Sequence, residues 1–240
     1  MKQVVIRLNN RPEIGLLSRS STNGDEQVLV EQFIDYYCTA FRRNNKKTQL
    51  AVFVEPRIDS GYPDVVFASY LPSILDNWTA EREKLDVSDL KVLSYLSGVK
   101  GVKGGTIITS LGFPEKQTLN SLEKLMDAKL VTYRTSGWQI CELREAFSVK
   151  KLIAVEAKLS DVSGVFSQSY INTRFASHSY ALINSAKPSS ETIQKFDGYG
   201  IGLYSKGNCF KKHVEATEYS LPSSYVSFQF NEWIGRAISH

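Results

Sequence analysis

Short apolar strand patterns alternate with amphipathic helix patterns along this chain, and this alternation constrains its fold more than any other feature. Apolar positions in residues 25–41 follow the 3.6-residue period of a helix. Residues 50–55 and 64–70 are short runs rich in valine and phenylalanine, as strands are, and the segment between them is typical of a hairpin connection. Because no internal repeat interrupts the alternation, the sequence predicts an α/β fold.

Residues 86–147 depart from this alternation and have the pattern of an inserted domain. Three short helical patterns precede two strand patterns that flank Thr135-Ser136-Gly137, a turn sequence. The apolar positions predicted to form a small core of their own are Leu90, Leu93, Ile107, Leu111, Leu119, Leu122, Leu125 and Leu130. The predicted organisation is therefore a main unit of residues 1–85 and 148–240 and an inserted unit of residues 86–147.

After the insert, the alternation of strands and helices resumes. Residues 152–158 have the pattern of a buried strand, and residues 164–176 have that of a helix. Short strands are predicted at residues 180–183 and 201–204, and a closing helix at residues 225–238. The resumed alternation extends the α/β prediction to the second half of the chain.

Charge and cysteine content exclude several classes of protein. The net charge of +4 permits a polyanionic partner without requiring one. The three cysteines are far apart and odd in number, so the sequence predicts neither a disulfide framework nor a zinc finger, and we expect a cytoplasmic protein. No run approaches the roughly 18 apolar residues of a membrane span, so we expect no membrane partner. The P-loop, HExxH and GxSxG motifs are absent.

The strand over residues 152–158 carries a charged pair on one face. Residues two apart in a strand point the same way, so Glu156 and Lys158 project together, opposite Ile153, Val155 and Ala157. Burying an acid and a base beside a sheet is costly unless they pair with each other or serve a site. A structural ion pair is the alternative that the pattern leaves open.

Two motifs on separate strands resemble those of the PD-(D/E)XK nuclease superfamily. Pro63-Asp64 precedes a run of apolar residues, and Glu156-Ala157-Lys158 follows another. The order helix, strand, Pro-Asp strand, Glu-x-Lys strand, helix, strand is also similar to that family's core. The resemblance implies the restriction-endonuclease-like fold, a central mixed sheet flanked by helices. Asp64 and Glu156 are 92 positions apart, farther than in a minimal core, and the inserted unit would account for this spacing.

The resemblance implies a magnesium-dependent nuclease that hydrolyses phosphodiester bonds of DNA, with manganese as an alternative ion. Defence against foreign DNA and mobile-element processing are familiar uses of such hydrolases. Carboxylates suit this ion because magnesium is a hard cation that keeps several of its waters. Lys158 would orient the attacking water or help to deprotonate it, and would stabilise the charge on the phosphate. The implied catalytic residues are Asp64, Glu156, Lys158 and Gln168, and the implied metal ligands are Asp64, Glu156 and Glu31.

Two of these assignments have competitors nearby in the sequence. Glu31 resembles the additional acid that many family members carry on the first helix, but Glu26 and Asp35 compete for this role, and all three also fit a solvated helix face. Gln168 occupies the place of a glutamine in related nucleases, and Asn172 follows one turn later on the same side. The sequence leaves these choices open.

The inserted unit resembles a winged helix-turn-helix domain, which implies DNA binding through its third helix and its wing. The implied contacts are Lys116, Gln117, Asn120, Lys124 and Arg134. Residues 86–147 contain eight lysines and arginines against seven aspartates and glutamates, so the unit is barely basic. A winged helix that serves a homodimer or packs on the nuclease core is therefore an open alternative. A catalytically inactive DNA-binding or protein-assembly module is the alternative function, against which the intact Asp64, Glu156 and Lys158 argue.

Overall fold

The computed structural model describes residues 4–19, 24–45 and 47–239. The strands within these ranges are β1 (Val5–Leu8), β2 (Gln49–Val54), β3 (Val65–Tyr70), β4 (Val131–Arg134), β5 (Gly137–Ile140), β6 (Val149–Lys158), β7 (His178–Ile183), β8 (Gly202–Lys206) and β9 (Phe210–Val214). The helices are α1 (Asp25–Asn44), α2 (Val87–Ser97), α3 (Gly104–Leu111), α4 (Glu115–Asp127), α5 (Leu143–Ala146), α6 (Val162–Asn172), α7 (Ser190–Gly198) and α8 (Tyr225–Ser239). Among the described residues, none of these helices is both long and apolar enough to span a membrane.

The chain forms two compact units, each built from two segments. The first unit comprises residues 1–71 and 149–223, and the second comprises residues 72–148 and 224–240. Residues 72–85 and 224–240, which the sequence pattern grouped with the main unit, pack in the second unit instead. Local periodicity predicts helices and strands but not which distant segments pack together, so the sequence pattern did not reveal this grouping.

A seven-stranded mixed sheet is the centre of the first unit, and it confirms the predicted α/β class. The strand order is β1-β2-β3-β6-β7-β8-β9. β3 runs antiparallel to both β2 and β6, whereas β6, β7 and β8 are mutually parallel. The parallel pairs require crossover connections, which α6 and α7 supply.

Helices cover both faces of this sheet because its buried strands alternate apolar residues between the two sides. Tyr180 and Leu182 of β7 belong to a cluster that includes the apolar residues of α1. Ala181 and Ile183 belong to a second cluster with α6 and α7. The predicted apolar face of β6, formed by residues 153, 155 and 157, packs in the α1 cluster. Glu156 is therefore on the opposite side of β6, toward α6.

The second unit contains the three helices and the two-stranded ribbon predicted for residues 86–147, together with α5 and α8. Most of the predicted core residues are buried, but Leu119 is 44% exposed, so its assignment to the core was wrong. α4 instead turns Thr118, Ser121, Leu122 and Leu125 inward. Two of these buried residues, Thr118 and Ser121, are polar. The spacing of the leucines alone therefore predicted the wrong buried face for α4.

A buried ion pair holds the two segments of the second unit together. Arg82 and Glu232 are each 1% exposed, and the guanidinium donates two hydrogen bonds to the carboxylate, one of them 3.1 Å long. Arg82 also donates to the carbonyl of Ala146 and stacks over the ring of Trp78, 4.4 Å from its centroid. Asn231 donates a further hydrogen bond to Glu232. Both buried charges therefore have hydrogen-bond partners in addition to each other, which the burial of an ion pair requires.

Candidate active site

Three acidic residues lie at one edge of the three adjacent strands β2, β3 and β6. Val65 of β3 is opposite Val54 of β2 and Val155 of β6. Glu55 follows Val54, Asp64 precedes Val65 and Glu156 follows Val155, so the three acids are neighbours across the three strands. The Glu55 amide donates a hydrogen bond to the Asp64 carbonyl. Residues opposite each other on adjacent strands have Cβ atoms about 5 Å apart. The sheet therefore brings Asp64 and Glu156 together across 92 positions of sequence.

The Asp64 carboxylate is fixed against β6. Its Oδ2 accepts a 2.7 Å hydrogen bond from the amide of Ala157, the residue after Glu156. Asp64 is only 8% exposed, and this burial raises the pKa of its carboxyl group. The Ala157 amide and the charge of Lys158 act in the opposite direction, but burial outweighs them. The ionised form of Asp64 is consequently only partly compensated by the protein.

Glu156 is buried more deeply and is less well compensated. Its Oε1 accepts a 2.7 Å hydrogen bond from Nδ2 of Asn172, on α6. Its Oε2 is buried and has no hydrogen-bond partner in the described structure. Burial, followed by the negative charge of Asp64, raises the pKa of the Glu156 carboxyl group. Gln168, the predicted amide on this helix, is exposed, so Asn172 is the α6 amide that contacts the acid.

Lys158 supplies a positive charge beside the two acids. Its Nζ donates a 2.5 Å hydrogen bond to Oε1 of Glu26, near the beginning of α1. Burial alone would lower the pKa of Lys158, but the Glu26 carboxylate and the charges of Asp64 and Glu156 raise it. Lys158 is therefore a protonated cation at neutral pH, which suits electrostatic stabilisation better than proton abstraction.

The acids of α1 have different partners. Glu31, the predicted metal ligand, accepts two hydrogen bonds from the guanidinium of Arg7, one of 2.8 Å. Glu26, the competitor, is the residue that contacts Lys158. Asp35 is exposed further along the helix. Glu26 therefore has the more direct link to the predicted catalytic residues, whereas Glu31 already has a cationic partner.

A cleft of about 270 Å³ lies beside Asp64, and the acids among its lining residues include Glu26, Glu31, Glu55 and Asp64, whereas Glu156 and Lys158 do not line it. Sequence reasoning missed Glu55, which lies 3.7 Å from the guanidinium of Arg19 and whose pKa is raised by burial. Glu55 has a φ of +44°, a left-handed conformation that is costly outside glycine. The sequence did contain one indication of this role: Glu55 directly follows an apolar strand pattern, just as Asp64 directly precedes the next one.

The acids do not form a ready-made three-ligand centre. Across the described ranges, groups of three or more histidine, cysteine, aspartate or glutamate side chains arranged to hold a metal ion are absent. Asp64 and Glu156 are two buried carboxylates whose pKa values burial raises despite the nearby charge of Lys158. A cation at this edge of the sheet would therefore be held by this pair together with ligands from outside the chain.

Replacing Glu156 by glutamine should stabilise the metal-free protein at pH 8. The wild-type acid has a raised pKa when folded, so wild-type stability falls as the pH rises above the unfolded value near 4 toward the folded value. Glutamine keeps an acceptor for Asn172 and removes the buried charge. We expect a gain of about 1–2 kcal/mol, or a few degrees in melting temperature, that shrinks toward pH 5.

Thermal unfolding in EDTA between pH 5 and pH 8 measures this effect. Glu218→Gln, the same change at an exposed position, is the matched control and should leave the melting temperature unchanged. A Glu156→Gln protein less stable than wild type at pH 8 would contradict the electrostatic account of this site.

The polar residues predicted to contact DNA divide into two groups in the second unit. Lys124 donates to Asp86 and Asp89 at 2.9 and 3.0 Å, and these hydrogen bonds raise its pKa although burial opposes them. Gln117 donates to Ser88. These two side chains are therefore engaged with α2 and the residue that precedes it.

The remaining predicted DNA contacts are free to reach a partner. Lys116, Asn120 and Arg134 are exposed. The second unit as a whole contains eleven lysines and arginines and eleven aspartates and glutamates, so it has no net charge. The second unit therefore lacks the excess of positive charge that DNA-binding surfaces usually carry.

Comparisons with protein-family models, curated proteins and solved structures found no match to this chain. The functional assignment therefore rests on the geometry of the acids, of Lys158 and of the sheet that positions them.

Proposed function

We propose that this chain is a metal-dependent nuclease that hydrolyses phosphodiester bonds of DNA. The observation that carries the proposal is the unpartnered, buried Oε2 of Glu156 next to Asp64. A carboxylate oxygen without a hydrogen bond or a cation costs several kcal/mol when buried, so such an atom indicates a missing partner. A divalent cation is the partner that would satisfy both acids at once.

The donor set fits magnesium, with manganese as the alternative. Both ions prefer carboxylate oxygens, and magnesium commonly binds one or two protein carboxylates while keeping several waters. Asp64 and Glu156 would hold the ion, and Glu26 or Glu55 of the same cleft would act through its water shell. When bound, the ion would supply charge neutralisation at the phosphate and lower the pKa of a bound water.

The chain's own residues would position the reaction. The Ala157 amide fixes Asp64, and Asn172 fixes Glu156, so neither carboxylate has to be ordered when substrate arrives. Lys158 would exchange its contact with Glu26 for a phosphate oxygen and stabilise the negative charge that develops there. Glu26 would then be the residue that holds the Lys158 ammonium in place between reactions.

The finer description of the fold belongs to the same proposal. A mixed sheet with a Pro-Asp strand antiparallel to a Glu-x-Lys strand supports a restriction-endonuclease-like core. Three helices followed by a two-stranded ribbon, with Val102 bridged to Trp138 as a short third strand, support a winged helix-turn-helix unit. Lys116, Asn120 and Arg134 are the residues of this unit that we propose contact DNA.

A second candidate is a binding or assembly module that retains the nuclease scaffold without catalysis. The lack of a three-ligand metal group among the described residues favours this candidate. The two candidates differ in one respect that an assay can measure, because a binding module needs no divalent ion to act.

The test is incubation of the protein with plasmid DNA and with single-stranded DNA in magnesium, manganese, calcium or EDTA. We expect cleavage that requires magnesium or manganese and that Asp64→Asn abolishes, because the variant removes one carboxylate of the ion-binding pair. Asp59→Asn, a turn residue outside the cleft lining, is the control and should cleave normally. Binding of DNA without cleavage under all of these conditions would establish the binding module instead.

A further inference from the structure

Three aromatic side chains, two exposed and one half-buried, form a cluster on α6 and directly after α7. Tyr170 and Tyr199 are 49% and 55% exposed. The ring of Phe166 is parallel to that of Tyr170, with centroids 6.5 Å apart, and meets the ring of Tyr199 edge-on at 5.1 Å. The two tyrosine rings are perpendicular, with centroids 5.9 Å apart. We call Phe166, Tyr170 and Tyr199 the aromatic platform.

The platform is held rigidly by the first unit. Phe166 contacts the fully buried ring of Phe196 edge-on at 5.3 Å, so the platform continues into the apolar core. Nζ of Lys195 lies 4.1 Å from the centroid of the Phe166 ring. Exposed aromatic rings anchored on a half-buried ring, with a cation nearby, are an arrangement that proteins use to bind unpaired bases, because every base has a flat face that can stack.

We propose that the aromatic platform stacks unpaired bases of a single-stranded nucleic acid that passes the candidate active site, an inference that rests on the proposed nuclease function. α6 connects the two features, since Asn172 of this helix holds Glu156. Phe166 and Asn172 are six residues apart, which is about 9 Å along the helix axis. The platform and the residue that holds Glu156 are therefore less than two helical turns apart on the same helix.

Charge and ring geometry favour a nucleic acid over an apolar protein surface as the occupant. The first unit contains eighteen lysines and arginines against fourteen aspartates and glutamates, so it carries the whole net positive charge of the chain. Because Tyr170 and Tyr199 are perpendicular, a flat apolar surface cannot cover both ring faces, whereas two separate bases can. Duplex DNA keeps its bases stacked inside and cannot use the platform, so single strands are the preferred substrate.

The experiment compares binding of a fluorescein-labelled 20-nucleotide oligothymidylate with binding of a labelled 20-base-pair duplex, measured by anisotropy in EDTA. Wild-type protein should bind the single strand more tightly. Tyr170→Ala and Tyr199→Ala should each weaken single-strand binding at least about fivefold, because loss of one stacking ring costs about 1–3 kcal/mol. Duplex affinity should change less than about twofold. Tyr170→Phe and Tyr199→Phe should bind as wild type, because phenylalanine retains the ring.

The matched control is Tyr36→Ala, which removes an exposed tyrosine from α1 and should not change either affinity. The proposal is overturned if the wild type fails to prefer the single strand, if both alanine variants bind it normally, or if Tyr36→Ala weakens binding equally. It is also overturned if the alanine variants change only self-association of the protein. Because binding is measured without a divalent ion, the expected pattern in a protein that cleaves nothing would support the platform and refute the nuclease.

Discussion

Lys158→Ala should reduce the rate of DNA cleavage by roughly 10²- to 10³-fold, the usual effect of removing one group that stabilises transition-state charge. The ammonium is 2.5 Å from Glu26 and adjacent to the buried acids, whereas the guanidinium of Arg19, another cation near them, is 3.7 Å from Glu55. DNA affinity should change much less than the rate, because the lysine acts mainly on the charge that develops during reaction. Single-turnover cleavage and equilibrium binding measure the two quantities separately.

Lys151→Ala provides the control for this prediction. Lys151 is on the same strand, β6, and is exposed away from the candidate site, so its removal takes away one charge without touching the acids. Lys158→Arg should recover part of the rate, since it restores a cation near Glu26. A Lys158→Ala protein that cleaves at the wild-type rate would refute the catalytic role, and one that loses binding and cleavage by the same factor would assign this lysine to substrate binding alone.

Glu232→Ala should destabilise the second unit by about 3–5 kcal/mol, because it leaves the guanidinium of Arg82 buried without its carboxylate. The double variant Arg82→Met/Glu232→Leu removes both charges and should be considerably milder, since two buried charges are replaced by apolar groups of similar size. Unfolding in urea measures both. Equal destabilisation by the single and the double variant would show that packing, rather than an uncompensated charge, dominates at this position.

The chain provides a convenient probe for this measurement. All three tryptophans, Trp78, Trp138 and Trp233, belong to the second unit. Tryptophan fluorescence therefore follows unfolding of the second unit, while circular dichroism follows the whole chain. The Glu232→Ala change should shift the fluorescence transition to lower urea concentration.

Hydrophobic periodicity predicted those helices and strands that bury one apolar face. The α1 helix, the strands β2, β3, β6 and β7, and the three helices of residues 86–147 all carry such patterns. Sequence reasoning missed β9, Phe210–Val214, which contains two lysines and a histidine because it is the edge strand of the sheet. It also missed α7, whose only buried residue is Phe196.

The sequence predicted only those residues of the candidate site that belong to a motif adjoining a strand. Asp64 and Glu156 belong to motifs on strands, and the sheet brings these strands together. The residues that hold the site come from other elements of the fold: the Ala157 amide of β6 contacts Asp64, Asn172 of α6 contacts Glu156, and Glu26 of α1 contacts Lys158. Local spacing contains no information about which acid of α1 meets Lys158, so Glu26 and Glu31 could not be separated without the tertiary structure.

The ion pair of Arg82 and Glu232 also sets an order of events during protein synthesis. The two residues are 150 positions apart, and translation at about 5–20 residues per second makes the arginine roughly 8–30 s before its carboxylate. Throughout this interval Arg82 must remain hydrated, since burial of an unpaired guanidinium is strongly unfavourable. Residues 72–148 therefore cannot complete their core before α8 has been made.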